Sequence, residues 1–195
     1  MAVNSAKVLV GTPDQLTTGA ILNAPLGTAL PTNAGFTFDT AVWSDSGYIS
    51  EDGLEISPDY STTDIPDWSG ANVRRLLEQF TGEITWTHLE TSANSLKATF
   101  GEDNVTVTQA TRDHGEKMVV TVGARLPERR SWAFKIKDGD AKILIVVPNG
   151  QVTSVDTITF SSSDAIKWPV TLSTYADEQG NNIYIYTDDG VYAAG

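Results

Sequence analysis

Side chains able to do chemistry are few in this sequence and widely spaced. Two histidines, His88 and His114, stand alone, and there is no cysteine. Disulfides, thiolate metal centres and a cysteine nucleophile are thereby excluded. His114 sits in Arg112-Asp113-His114-Gly115, which reads as a turn. His88 alternates with Trp86 along a strand-like run, as a packed or surface histidine does, rather than a general base. No G-x-S-x-G elbow, G-x-x-x-x-G-K-[ST] phosphate loop or H-E-x-x-H pair occurs. Carboxylates are abundant. Glu83, Glu90, Glu102 and Asp103 could in principle furnish the acid pair of a glycosidase. With 25 acids in the chain, such neighbours arise by chance. Asp138-Gly139-Asp140 and Asp188-Asp189-Gly190 lack calcium-loop spacing and read as turns. The expectation is a chain that is not an enzyme and holds no cofactor or metal.

Charge narrows the partners. Asp+Glu 25 against Lys+Arg 13 gives a formal charge of -12. Tight grip on nucleic acid needs clustered cations, and so does an anionic membrane surface. No apolar run approaches the ~20 residues of a membrane helix. The start MAVNSAKVLVG lacks a basic segment before its short apolar run, so no secretory signal is read there. Asn104-Val105-Thr106 fits a glycosylation acceptor, but without such a signal it reads as a strand start. Five tryptophans remain: Trp43, Trp68, Trp86, Trp132 and Trp168. Aromatic faces on a β-sandwich can stack on sugars, which makes a carbohydrate-binding module the rival reading. The alternative is that Trp86 and Trp132 are core and the others seal loops.

The elements that must position these residues are mostly β. Residues 1–34 are rich in Thr, Gly, Pro and Ala without useful periodicity, and read as an extended arm. Its apolar Ile21, Leu22, Leu26 and Leu30 would be needless in a free linker. Residues 35–195 form the domain proper. Short β-branched and aromatic runs recur at 36–38, 48–50, 54–56, 83–90, 105–108, 117–122, 132–137, 142–147, 157–160, 166–174 and 183–186. Asp52-Gly53 between two of them signals a hairpin turn. Residues 73–80 carry Val73, Leu76, Leu77 and Phe80 at helical spacing yet run straight into a strand, so helix and strand both remain open. One helix is expected over residues 92–100, with Ser92 as N-cap and Gly101 as stop. Period-2 alternation places Glu83, Thr85 and Thr87 on one strand face, and Ile84, Trp86 and His88 on the other. By the same rule the 132–137 strand buries Trp132, Phe134 and Ile136 and presents Ala133, Lys135 and Lys137. The fold class is mainly β, a sandwich or barrel with one short flanking helix.

Five stretches together carry a family resemblance: GTPDQLTTGAILNAPLGTALPTNA, GYISEDGLEIS, DIPDWSGANVRRLLEQFTGEITWTHLET, FGEDNVTV and VVPNGQV. In order and spacing the chain resembles the major tail protein of long non-contractile-tailed phages of actinobacteria. That resemblance implies a virion protein, made in the host cytoplasm, whose hexameric rings stack into a hollow tail tube. It implies self-association as the main partnership, with tape-measure, tail-terminator and tail-tip proteins as further partners. Viral DNA would pass through without tight binding, and no membrane insertion is implied. Roughly 24 strands at about 4.8 Å spacing give a tube diameter of about 37 Å before tilt, enough for a duplex.

Three site expectations follow from the resemblance. Leu54, Ile56, Ile65 and Trp68 lie in a long loop-like stretch, 44–72, that would contact the next ring. Ile21, Leu22, Leu26 and Leu30 would pack on a neighbouring subunit. Glu83, Thr85 and Thr87 would face the lumen, because a lumen of Lys135 and Lys137 would hold phosphates.

Overall fold

The structure, a computed structural model, describes residues 7–14 and 19–192. Eleven strands and one α-helix follow one another there: β1 (Thr12–Pro13), β2 (Ile21–Pro25), β3 (Ser44–Asp45), β4 (Ile49–Pro66), β5 (Asn72–His88), α1 (Ala93–Phe100), β6 (Val105–Thr108), β7 (Lys117–Val120), β8 (Arg130–Asp138), β9 (Ala141–Val155), β10 (Trp168–Tyr175) and β11 (Tyr184–Asp188). Nine strands form one antiparallel sheet, ordered β3-β2-β8-β9-β10-β5-β4, with β1 on β8 and β11 on β9.

Strand β9 sets the shape. Its first half pairs with β11 and its second half with β10, while β8 flanks the first half. The register slips where Pro148, Asn149 and Gly150 pass β8. A Cβ on Gly150 would lie 2.9 Å from Trp132 Cδ1 and 3.1 Å from Leu172 and Val147 atoms. Glycine therefore lets the strand turn through the core, as bulge and corner glycines do. The sheet folds there into two layers. One holds β4, β5, β10 and the second half of β9. The other holds β3, β2, β8, the first half of β9 and β11.

The main core lies between them. Ile21, Trp132, Phe134, Ile145 and Val147 from one layer meet Ile84, Trp86, Val152, Val170 and Leu172 from the other. Trp86 touches Trp132 and Phe134 with ring centroids 5.4 Å apart. Such tilted and edge contacts add to the burial of the rings. His88 ends this row on β5. It is fully buried, and its Nε2 accepts a 2.8 Å hydrogen bond from Trp86 Nε1. Its Nδ1 is buried without a hydrogen-bond partner among the described residues.

Two smaller clusters complete the interior. Leu22, Ala24, Ala133, Leu144 and Val146 occupy the opposite face of the second layer, covered by Leu30, Phe36, Phe38 and Trp43. Leu96 of α1, Val105 and Trp168 form the third, with Phe100 and Met118 against them. α1 begins as its sequence indicates. Ser92 and Ser95 form a reciprocal capping box, and the Gly101 N–H closes the end on Lys97 O.

Several expectations are corrected. Within the 1–34 stretch, residues 21–25 are a strand, since β2 pairs along β8 from Ile21 opposite Phe134 to Pro25 opposite Arg130; residues 1–6 and 15–18 lie outside the described residues. Ile21 and Leu22 are each 1% exposed inside their own subunit, one on each face of the sheet. Their alternation is a strand signal that the surrounding prolines masked. Asp52-Gly53 makes no hairpin; it is a bulge within β4, with Gly53 at φ 74. Residues 73–80 are strand, because a ladder with β4 outweighs helical spacing. Residues 36–38 and 157–160 are irregular. Ala133 is fully buried and Lys135 and Lys137 half-buried, because residues 30–43 cover the face they were expected to present.

Burial pushes the His88 pKa down from 6.5 to about 4. The unfolded chain therefore takes up the proton first. Stability from neutral His88 is complete above pH 6.5 and is lost as pH falls toward 4, by about 3 kcal/mol at about 1.4 kcal/mol per unit. Urea unfolding between pH 7.5 and 4.5 should show that loss in the native chain. His88→Gln, which can still accept from Trp86, should lack that component.

Candidate functional site: assembly surfaces

One face of the first layer is mostly polar, with Pro169 opposite Thr87 as an apolar member. Register pairs Glu55 with Thr85, Thr85 with Thr171, and Glu83 with both Ser57 and Ser173. Glu83 is exposed, Thr85 and Thr87 are half-buried, and all three share this face as the alternation requires. Hydroxyls link the strands: Thr153 Oγ1 and Ser173 Oγ lie 2.7 Å apart, and Tyr175 donates to Gln151 Oε1 at 3.2 Å. Toward the foot, Asp52, Glu55 and Asp156 line a depression of about 240 Å³. Below the arm, none of the paired residues on this face (Glu55, Ser57, Glu83, Thr85, Thr87, Thr171 and Ser173) is Lys or Arg. At the margin Arg129 stacks 3.8 Å over the Tyr175 ring.

The same layer ends in two bare edges. β4 pairs only with β5. The second half of β9 pairs with β10, and its other side has no strand beyond Gly150. All three pairings across β4, β5, β10 and β9 are antiparallel, so the two edge strands run in opposite directions. A cleft of about 140 Å³ separates the β9 edge, at Val152, Thr153, Ser154 and Val155, from a wall formed by the end of α1 and residues 121–127, and Gln151 donates to Pro127 O across the boundary. Consecutive side chains alternate faces, so this cleft looks onto the strand's edge.

The third surface is an arm. β4 and β5 continue nine residues past Ser57 and Thr81, a projection of about 30 Å. Only their own pairing supports them. Tyr60 and Phe80 meet with centroids 4.9 Å apart, and Thr63 donates to Glu78 Oε1 at 2.6 Å. Arg75 grips both oxygens of Asp64 at 2.7 and 3.0 Å, and that guanidinium holds the Asp64 carboxyl below its usual pKa. At the tip, Asp67 Oδ1 accepts from Ser69 N, Ser69 Oγ and Ala71 N. The Ser69 hydroxyl, followed by the Ala71 N–H, holds this carboxyl low as well. Gly70, at φ 86, supplies the left-handed residue of the turn. Trp68 points into solvent with its whole side chain exposed, and Tyr60, Ile65, Val73 and Leu77 are exposed along the shaft.

The expected stacking residues thus divide. Ile65 and Trp68 are on the arm, whereas Leu54 and Ile56 lie at its base, packed against the main core. Of the expected arm contacts at the N-terminus, Leu26 is exposed and Leu30 packs on the second cluster. The arm itself was missed. Glu51, Asp59, Asp64 and Pro66 interrupt the apolar pattern because both of its faces meet water, and period-2 patterning needs one buried face. No group of three or more metal-binding side chains occurs among the described residues, and no helix there is long and apolar enough to cross a membrane.

A two-layer β-fold with a polar face, bare edges and a projecting hairpin is a protomer shaped for assembly. A family model described as "Phage tail tube protein" matches residues 1–194, and the chain belongs to that family. It is a structural component of the virion's tail. No curated protein sequence matches it. Solved structures are more distant. The anti-feeding prophage cap, a tube-terminating cap, is 14% identical with TM-score 0.45, over 96% of this chain and 100% of that one. The native gene transfer agent virion is 11% identical with TM-score 0.40, over 87% and 95%. The sheath–tube complex of an extracellular contractile injection system is 10% identical with TM-score 0.42, over 96% and 100%.

The turn geometry makes a local prediction. Asp67→Ala removes the acceptor of three hydrogen bonds at the tip without touching the body. Amide exchange at Ser69 and Ala71 should accelerate, while the thermal midpoint of the body stays unchanged. Unaltered exchange would mean that Asp67 does not hold the turn.

Proposed function

We propose that the chain closes into hexameric rings through the two bare edges of its first layer, and that the rings stack through the arm. The observation that carries this reading is the pair of oppositely directed edges flanking a face that, below the arm, carries no Lys or Arg on its strands. Rotation brings β4 of one copy beside the second half of β9 of the next. Their opposite directions make the junction antiparallel, like every other pair in that layer. Closure also removes edges that would otherwise template aggregation.

The Glu83–Thr85–Thr87 face then lines the lumen. Carboxylates and hydroxyls there offer phosphates no counterion to displace, so a duplex slides with little friction. Ile65 and Trp68 reach the adjacent ring, and exposed Leu26 meets a neighbour. Tape-measure, terminator and tip proteins are the expected partners in the tail. The order of the sequence motifs supports a long non-contractile tail and an actinobacterial host. The reading assigns the chain no reaction. The rival sugar-binding reading loses its platform, because Trp43, Trp86, Trp132 and Trp168 are all buried and only Trp68 is exposed.

Glu83→Lys with Thr85→Lys tests the lumen in infectious particles. Tubes should assemble and eject DNA slowly at low ionic strength, with added salt restoring the rate as it screens the new cations. Normal ejection at low ionic strength would remove this face from the lumen. Negative-stain images of the pure protein test the rings: a monomer under every assembly condition would remove the ring reading.

A further inference from the structure

Resting on the stacking reading above, the geometry points to a seat for the arm: we propose that Trp68 of one copy inserts into a cavity of the next copy, beneath residues 34–40. This cavity, of about 330 Å³, lies on the outer face of the β8–β9 pair. Phe36, Phe38 and Leu22 form its apolar walls, and Lys135 and Lys142 stand in its lining with Asp14. That volume falls in the range that takes a small aromatic group. An indole fits such a lining twice over, against phenyl rings and beneath an ammonium group.

Charge supports the same occupant. Lys135, Lys137 and Lys142 share one sheet face, and Lys137 and Lys142 sit directly opposite each other in register. In a chain of charge -12 such a like-charge pair is an exception, and it costs stability unless an anion approaches. Asp14 and Asp45 act on Lys135, and Asp188 faces Lys142 from β11, so the lysines already sit among carboxylates on this face. The arm brings Asp67 beside Trp68. It also carries Arg74, exposed and in no ion pair among the described residues, on the strand leaving the tip. Next to the cavity, across Ala34 and Gly35, a second groove presents Asp188 and Asp189. Tip acid toward lysines and shaft arginine toward aspartates is a two-point match of opposite signs.

Position completes the argument. The arm leaves the body at the corner where Gly82 pairs with Thr174, Asn149 with Tyr175 and Gly150 with Arg130. The cavity lies toward the other end of the β8–β9 pair, five to seven residues from Arg130, which is about 17–23 Å away. A paired ladder does not fold back on its own body, so the occupant is a second copy. Tip and seat are different surfaces, so the contact is heterologous and propagates without closing, as stacked rings require.

The absence of cysteine makes the test clean. Ala71→Cys places a thiol in the turn while keeping Trp68, and Thr37→Cys places one in the segment over the cavity. Assembled tubes of the double variant, mildly oxidised, should give a ladder of covalent oligomers on a non-reducing gel. Each single variant should give none. A ladder from Ala71→Cys with Val122→Cys instead, or no ladder from well-formed tubes of the first pair, would overturn the seat while leaving stacking intact. If the unsubstituted chain forms no tubes, the stacking reading fails and the seat with it. In a second measurement, Arg74→Asp should shorten tubes and Asp189→Arg in the same chain should restore their length. Unchanged length in Arg74→Asp would remove the second point of the match.

Discussion

Everything in this fold depends on one crossing, the passage of β9 through the core at Gly150. A Cβ on Gly150 would crowd Trp132, Val147 and Leu172 at 2.9–3.1 Å, forcing the core there to shift. Because the strand turns there rather than ending, a single sheet supplies both layers and the core between them. A strand of 15 residues can then pair with β11 in one layer and β10 in the other. Ser131 reinforces the corner by donating to Pro148 O at 2.8 Å. Proline at 148 has no N–H to lose from a ladder that is already broken by the register slip.

The crossing also creates the open edges. β8 follows β9 only as far as the corner, so the second half of β9 has no neighbour on that side. An isolated protein guards such an edge with charge, proline or a covering element. This one leaves the Val152–Val155 stretch facing a partly apolar cleft. At the layer's other margin, β4 is 18 residues long and bears Pro58 and several acids, which discourages random pairing while leaving the ladder groups available. Long strand edges without a strand partner and a projecting arm with an exposed tryptophan are liabilities in a monomer, and the assembly proposed above would cover them.

Legibility from sequence followed burial. The 83–88 run was readable because one face is buried against Trp132 and Leu172 and the other meets water, so period 2 is visible in the residues. α1 was readable from Ser92 and Gly101, whose cap chemistry is local. The arm was illegible because both faces of β4 and β5 are wet beyond Gly82, leaving no hydrophobic rhythm, and the spacing of Val73, Leu76, Leu77 and Phe80 mimics a helix by accident. β2 was obscured for the opposite reason. Both of its faces are buried, so Ile21 and Leu22 are adjacent apolar residues rather than alternating ones, and the nearby prolines suggested a coil. The second cluster could not be foreseen, because Phe36, Phe38 and Trp43 come from an irregular segment whose packing is decided by the sheet beneath it.

The placement of the lysines shows how layer choice and charge are coupled. Lys135, Lys137 and Lys142 are consecutive in space on the second layer, and all point to the face covered by residues 30–43. Lys135 is half-buried there, and burial lowers its pKa while Asp14 and Asp45 act in the opposite direction. Below the arm, the first layer carries Glu55 and Glu83 on its wet face with no lysine or arginine paired beside them. Were the layers exchanged in a tube, each ring would present three lysines per subunit to a passing polyanion, and counterion release would hold it. With the layers as proposed, the same lysines are removed from the channel by the thickness of the sandwich, about 10 Å between sheets, which is one Debye length at 0.1 M salt. Their field reaches the lumen only weakly, and their remaining use is on the outer face, toward an acidic partner.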